Sequence, residues 1–475
     1  METRPRDGGG LSRSKIGFVS LGCPKNLVDT EAMIQAVSAK RFVVTGNQDE
    51  ADMVVINTCG FLDPAKRESM DTISEFVEKK KLGRLKAVVV AGCMTERYLE
   101  PMQKTFPEVD AFIRTGDFSK LPEIAERLES QERLDQRLSL IGEDAPQLQG
   151  HSELPDFVSR AGGLRPFAYV KISEGCNRKC SFCIIPKLRG RHHSRSIDGI
   201  LDEVHQLVGS GVRELILIAQ DLTSYGRDRP EKQGLFELLS ELEKVEGLEW
   251  YRLMYNYPKF FHDDLIDLLS NSEKFTGYVD IPLQHISDRI LRRMNRPEKS
   301  QEVRRLISSL RSRISKLSLR TTLMVGFPGE TEADFLDLLD FVRESEFDHL
   351  GAFTYFPEQG TPSANFSDQI DQVVKEERYG RLMELQQGIQ QEKLEAFRGT
   401  SLDVRVDSLS SESNRRGFRY LGRHSGQAPE IDGLVYLESA QALEIGSLVR
   451  AKVKDIVAPY DLLVKVSQAS LKLAC

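Results

Sequence analysis

The sequence predicts an α/β chain with an N-terminal open parallel sheet domain, a central partial TIM-like barrel of six βα units and a C-terminal small all-β barrel. Three observations carry that prediction. Short apolar runs alternate with helical patterns in two separate stretches, the signature of parallel strands joined by crossover helices. Near residue 397 the alternation stops and gives way to short β-like runs divided by turn residues. Cysteines follow strand-like runs in both alternating stretches, at the strand ends where open α/β sheets and barrels gather ligands.

Residues 1–14 are rich in Arg and Gly, lack the apolar stretch of a secretory signal and read as a disordered leader. In residues 15–129 the strand candidates are Ile16 to Leu21, Met53 to Ile56 and Lys86 to Ala91, with helical patterns over Asp29 to Lys40 and Pro64 to Lys81. Residues 130–159 are charged and Gln-rich without a clear period, and read as a linker. Residues 160–396 hold strand candidates at Phe167 to Ile172, Glu214 to Ala219, Trp250 to Tyr255, Tyr278 to Pro282, Leu319 to Val325 and Leu350 to Tyr355. Helical patterns follow most of them, as at Ile197 to Val208, Gly234 to Val245 and Glu332 to Glu344. Six such units fall short of a full eight-stranded barrel. Gln372 to Phe397 reads as one helix with many i,i+4 charge pairs. In residues 397–470 the β-like runs are Leu402 to Val406, Phe418 to Leu421, Leu434 to Leu437, Leu448 to Val453 and Leu462 to Val466.

Hydrophobic residues at 40% and charged residues at 29% fit a soluble globular chain. No apolar run approaches the roughly 18 residues of a membrane-spanning helix, so a cytoplasmic protein without a membrane partner is expected. The net charge of -7 weighs against a broad nucleic-acid-gripping surface, because such affinity rests on neutralising phosphates. A local basic patch would still suffice for RNA.

Seven cysteines, an odd number in a long chain, argue for metal or catalytic thiols over a disulfide framework. Cys475, at the end of the sequence, reads as a solvated thiol. Cys176, Cys180 and Cys183 form a C-x3-C-x2-C run directly after the first strand of the middle region. Three thiolates there can hold three irons of a cubane and leave the fourth without a protein ligand, open to a cofactor. A zinc site completed by His192 or His193 is the alternative. Cys23, Cys59 and Cys93 each follow a separate strand, so a parallel sheet would bring them to one crevice. Neighbouring Gly22, Gly60 and Gly92 allow close backbone approach to a bulky ligand; buried structural cysteines are the alternative.

The compact run, with aromatic Phe182 before its last cysteine, resembles the signature of the radical S-adenosylmethionine superfamily. The resemblance implies that the open iron chelates the amino and carboxylate groups of S-adenosylmethionine, whose reductive cleavage yields a 5′-deoxyadenosyl radical. Gly22-Cys23-Pro24-Lys25-Asn26 with Asp29-Thr30-Glu31, Asn57-Thr58-Cys59-Gly60-Phe61 and Ala91-Gly92-Cys93 resemble the N-terminal domain of methylthiotransferases. The similarity runs on through Glu174-Gly175-Cys176, Pro282-Leu283-Gln284-His285 and Val325-Gly326-Phe327-Pro328-Gly329-Glu330-Thr331 into a terminal domain similar to TRAM. It covers nearly everything from Lys15 to about Ala469. It implies two 4Fe-4S clusters, the one at Cys23, Cys59 and Cys93 holding the sulfur to be transferred.

Two branches of that family matter, one modifying tRNA adenosines and the RimO type, which modifies an aspartate of small-subunit ribosomal protein twelve. Pro24-Lys25 after Cys23, Cys59-Gly60-Phe61-Leu62 and Ala428-Pro429-Glu430-Ile431-Asp432-Gly433 resemble the RimO type. From residue 396 onward 11 Lys and Arg face 9 Asp and Glu, weak footing for an RNA-gripping module. Arg191-His192-His193-Ser194-Arg195 and Tyr355-Phe356-Pro357-Glu358-Gln359-Gly360 depart from the family's usual patterns, which bears on substrate choice more than on chemistry. The resemblance implies methylthiolation of the aspartate β-carbon, the ribosomal protein as partner, free or on the ribosome, a flavodoxin- or ferredoxin-type electron donor, and a monomer. A non-catalytic zinc-stabilised RNA-binding scaffold is the reading from another class.

Beyond the cysteines, Gln220, Asp221 and Tyr225 after the second barrel strand, and Gln284 after the fourth, are candidates for the cofactor pocket along with Phe182. Lys187, Arg189, Arg191 and Arg195 form a basic loop suited to a carboxylate or phosphate, or else a solvated face. His285 reads as a satisfied rim residue.

Overall fold

The computed structural model describes residues 14–61, 63–130, 138–139, 165–230, 233–410, 418–457 and 459–467. Cys475, the leader 1–13 and nearly all of the 130–159 stretch lie outside them. The chain divides into two compact units, Met1–Gly163 and Leu164–Cys475.

The first unit holds a parallel sheet of strands β1 (Lys15–Ser20), β2 (Val43–Thr45), β3 (Met53–Thr58), β4 (Ala87–Gly92), β5 (Ala111–Ile113) and β6 (Leu138–Ser139), in the order β2-β1-β3-β4-β5-β6. β3 and β4 are buried along their whole length, as Val- and Ile-rich central parallel strands must be when helices cover both faces. Helices α1 (Pro24–Ser38) and α4 (Leu121–Glu129) pack Met33, Val37, Leu121 and Ile124 on one face. Helices α2 (Asp63–Lys81) and α3 (Cys93–Thr105) pack Ile73, Phe76, Leu99 and Met102 on the other. α1 begins five residues before the helix expected from the pattern, because Pro24 sits at its first turn, where a missing N–H costs nothing. Part of the expected linker, Leu138–Ser139, pairs with β5.

The second unit opens with β7 (Phe167–Lys171), followed by a short ribbon of β8 (Ser173–Glu174) and β9 (His193–Ser194), with helix α5 (Ile185–Arg189) between them. Then come β10 (Glu214–Ile218), β11 (Trp250–Leu253), β12 (Phe275–Asp280), β13 (Ser318–Val325) and β14 (His349–Thr354). These form a six-stranded parallel sheet with β7 at one edge and β14 at the other, each strand beside its predecessor. Crossover helices are α6 (Ile197–Gly209), α7 (Leu235–Leu242), α8 (Asp263–Asn271), α9 (Asp288–Arg293), α10 (Ser300–Arg313) and α11 (Glu332–Ser345). Alternate strand residues such as Ala168, Leu215, Leu217, Leu253, Val279 and Leu323 bury against them.

After α12 (Gln372–Glu395), strands β15 (Ser401–Leu409), β16 (Phe418–His424), β17 (Val435–Ser439), β18 (Leu448–Val457) and β19 (Asp461–Val466) close into a barrel. Closure removes exposed strand edges. The barrel docks at the N-terminal ends of the parallel strands. Fully buried Glu214, first residue of β10, pairs with Arg252 at 2.5 Å and with Arg423 of β16 at 2.8 Å. Asp432 accepts from Tyr278 at 2.7 Å, and His349 bonds the Gly426 carbonyl at 2.7 Å. The segment Ser425–Asp432 thus plugs the end of the sheet opposite the one where β7 delivers its cysteines. Among the described residues no helix is long and apolar enough to cross a membrane.

Candidate functional site

In the first unit, β1, β3 and β4 are neighbours, and each is followed by a cysteine. Register places Ser20 opposite Asn57 and Thr58 opposite Gly92, so Cys23, Cys59 and Cys93 follow the C-terminal ends of three neighbouring interior strands. β1 and β3 flank the point where strand order reverses, since the chain runs from β1 outward to β2 and back to β3. Such switch points open the crevice in which α/β sheets bind ligands. Cys23 caps α1 and Cys93 opens α3.

The glycines answer to this crowding. Gly22 has φ +92, and a Cβ there would fall 2.8 Å from Cys59 Cβ; Gly92 has φ +100, and a Cβ there would fall 2.3 Å from Asn57 Oδ1. Buried Asn26 donates from Nδ2 to the carbonyls of Leu21 at 2.9 Å and Thr58 at 3.0 Å, and Cys93 Sγ lies 3.9 Å from its Oδ1. In the sequence Asn26 is one letter of a motif; the fold carries its side chain to the ends of two strands.

In the second unit, the loop bearing Cys176, Cys180 and Cys183 leaves the C-terminal end of β7 through β8. Burial pushes the Cys176 thiol up to about 11 and Cys183 up to about 12, and raises Cys180 as well. Burial thus favours the neutral thiols in the metal-free chain, and a metal that binds there displaces their protons. Asp221 accepts from Arg178 Nε at 2.8 Å and from Ser224 Oγ at 2.6 Å, tying the cysteine loop to the end of β10. Gln220 Nε2 donates to Glu174, which also pairs with Lys171 at 2.6 Å; all three lie just upstream of the loop or at the next strand end. Phe182 stacks edge-on against Phe327 at 6.5 Å, in an apolar cluster with Met294 and Tyr355. Gln284 holds a positive φ of 71 and exchanges backbone bonds with Thr322 and Met324, a strained conformation of the kind that functional sites store.

Ser173 Oγ, Gln220 Oε1 and Gln284 Oε1 are buried without hydrogen-bond partners. They sit at or beyond the C-terminal ends of β7, β10 and β12, on the cysteine side of the sheet. Buried polar atoms want partners, and a ligand with amino and hydroxyl donors supplies them. Among the described residues, no three His, Cys, Asp or Glu side chains converge on a single ion. A cubane asks for something else, since each thiolate binds a different iron. His192 Nε2 contacts Ser194 Oγ at 3.1 Å, and both His192 and His193 face Asp228, at 3.6 and 3.8 Å.

Tyr225 is buried, and its hydroxyl donates to the Arg195 carbonyl at 2.8 Å. Arg189 and Arg195 are buried, not a solvated face: Arg189 meets Glu174 at 3.4 Å and Arg195 meets Glu203 at 2.5 Å. Lys187 donates to the Gly360 carbonyl at 2.8 Å, while Arg191 is exposed. Carboxylates at Glu174 and Glu203 draw Arg189 and Arg195 inward, which a count of basic residues does not reveal. His285 is fully buried, with Nδ1 accepting from the amides of Ile286 and Ser287 and Nε2 3.4 Å from Glu330.

Three family models match the chain. Residues 170–342 match the radical SAM superfamily, 15–114 the uncharacterized protein family UPF0004 and 399–466 the TRAM domain. The ribosomal protein uS12 methylthiotransferase RimO of Aquifex aeolicus (strain VF5) is 45% identical over 448 residues, covering 94% of this chain and 96% of that protein. RimO of Geobacter sulfurreducens is 42% identical over 458 residues, covering 95% and 98%. Among solved structures, the radical S-adenosylmethionine methyltransferase TsrM from Kitasatospora setae, with cobalamin and a 4Fe-4S cluster bound, aligns with TM-score 0.55 at 16% identity over 74% of this chain and 77% of that one. That likeness shows a shared fold.

Proposed function

Because the chain belongs to the RimO family of ribosomal protein uS12 methylthiotransferases, within the radical S-adenosylmethionine superfamily, we propose that it methylthiolates the β-carbon of a uS12 aspartate using two 4Fe-4S clusters. The chain is a radical S-adenosylmethionine methylthiotransferase acting on uS12. The observation that carries the two-cluster reading is the convergence of Cys23, Cys59 and Cys93 at three adjacent strand ends, apart in sequence from Cys176, Cys180 and Cys183.

The Cys176, Cys180 and Cys183 thiolates would hold one cluster, and those of Cys23, Cys59 and Cys93 would hold the other. When bound, the first with S-adenosylmethionine supplies one-electron chemistry, and the second supplies the sulfur. An unactivated C–H bond calls for this, since no side-chain base near neutral pH removes such a proton. The chain's own residues prepare the site. Asp221 and Arg178 fix the cysteine loop, Gln220 and Gln284 offer acceptors to the cofactor, and the Ser425–Asp432 plug shuts the opposite end of the strands against water. A cytoplasmic monomer served by a flavodoxin- or ferredoxin-type donor completes the reading.

Anaerobic reconstitution tests it. Two cubanes bring about eight irons per chain, and Cys23→Ala should lose one cluster's share. Incubation with uS12, reductant and S-adenosylmethionine should add one methylthio group to an aspartate, located by fragmentation mass spectrometry. Modification of tRNA in place of uS12, or a Cys23→Ala chain with full iron, would overturn the proposal.

A further inference from the structure

One side chain touches all three cysteine-bearing segments of the first unit. Asn26 is the third residue of α1, where an asparagine ordinarily serves the helix's own terminus. Its carboxamide points elsewhere. One Nδ2 hydrogen goes to the Leu21 carbonyl, two residues before Cys23; the other goes to the Thr58 carbonyl, one residue before Cys59. Oδ1 then faces Cys93 Sγ at 3.9 Å. The backbone is tied as well: the Asn26 amide donates to Cys23 O at 2.9 Å, and the Asn26 carbonyl accepts from Asn57 Nδ2 at 2.8 Å. Asn26 is 1% exposed, so water does not share these bonds. The amide has one workable orientation, because a flip would set its oxygen against two carbonyl oxygens.

We propose that Asn26 is the positioning residue of the three-cysteine site, clamping the ends of β1 and β3 while holding a carbonyl dipole against Cys93. This rests on the reading that Cys23, Cys59 and Cys93 hold a cluster. Two consequences follow from the geometry. Without the clamp, the strand ends are free to separate and the site retains iron less tightly. With it, the negative end of the amide faces the Cys93 sulfur, the opposite of the hydrogen-bond donors that stabilise reduced clusters. Asn26 therefore lowers the reduction potential of this cluster relative to a variant without the dipole.

The test uses the full chain carrying Cys176→Ala, Cys180→Ala and Cys183→Ala, so that only the first unit takes iron. Asn26→Leu keeps nearly the same volume and removes every side-chain hydrogen bond. Circular dichroism first establishes that it melts cooperatively; where it does not, Asn26→Ala is read in its place. The expected result is roughly tenfold faster iron loss to a chelator, the scale of supporting-residue effects in metal sites. The residual cluster's midpoint, followed by electron paramagnetic resonance in a redox titration, should shift to higher potential. A folded variant with unchanged iron retention and unchanged midpoint overturns the role of Asn26 alone. Failure of the parent chain to load iron overturns the cluster reading, and the proposal with it.

Discussion

Arg178, placed between Cys176 and Cys180, donates from Nε to Asp221 Oδ2 at 2.8 Å, joining the cysteine loop of β7 to the end of β10. The guanidinium also lies 3.7 Å from the ring centre of Tyr257 and 4.7 Å from that of Phe260, beyond β11. Three successive strand ends are thereby held together by one side chain. A hydrogen bond between charged groups of this kind contributes about 1.5–3 kcal/mol.

Asp221→Ala should therefore loosen the loop without unfolding the sheet. Iron bound by Cys176, Cys180 and Cys183 should dissociate faster, while the site at Cys23, Cys59 and Cys93 keeps its iron. Iron counts in Asp221→Ala chains that also carry Cys23→Ala separate the two.

Gly92→Ala places a Cβ 2.3 Å from Asn57 Oδ1 and 2.6 Å from the Thr58 carbonyl, at a φ of +100 that side chains rarely adopt. Backbone strain of this type costs on the order of 1–3 kcal/mol, and the clash adds to it. Lower urea midpoints for the first unit, together with loss of its iron, are expected; a variant as stable and as iron-rich as the parent would contradict the close packing at this strand end.

Glu214 gives a pH signature. Burial alone would raise its carboxyl, but the charges of Arg423 and Arg252 overcome this and hold it at about 2. A depressed folded value contributes stability that is fully present above the unfolded value of about 4.3 and is lost as pH falls through about 2. Between these limits the parent should lose stability with falling pH more steeply than Glu214→Gln, as read by denaturant melts of the iron-free chain. At neutral pH Arg423→Met should cost about 3–5 kcal/mol, since it leaves part of a buried charge network uncompensated.

Tyr225→Phe separates packing from cofactor binding. The hydroxyl donates to the Arg195 carbonyl at 2.8 Å. Its removal should lower stability by about 1 kcal/mol and leave the affinity for S-adenosylmethionine, measured calorimetrically, within error of the parent.

The sequence by itself determined the α/β class, the two sets of cysteines and the terminal barrel, because each rests on a local signal. Strand runs such as Met53–Thr58 and Ala87–Gly92 are apolar throughout, since both faces are covered, and the compact cysteine run needs no folding to be read. What the tertiary structure decided is which side chains meet. Asn26 reaches Thr58 across 32 positions and Arg178 reaches Asp221 across 43, distances over which no periodicity carries information. Tyr225, following the short helix at Leu222–Ser224, meets the carbonyl of Arg195, 30 positions earlier. Arg189 and Arg195, basic letters in a basic loop, became buried partners of Glu174 and Glu203. Periodicity fixes the face of an element, whereas pairing across elements depends on strand order and register, which the long-range packing of the whole sheet selects.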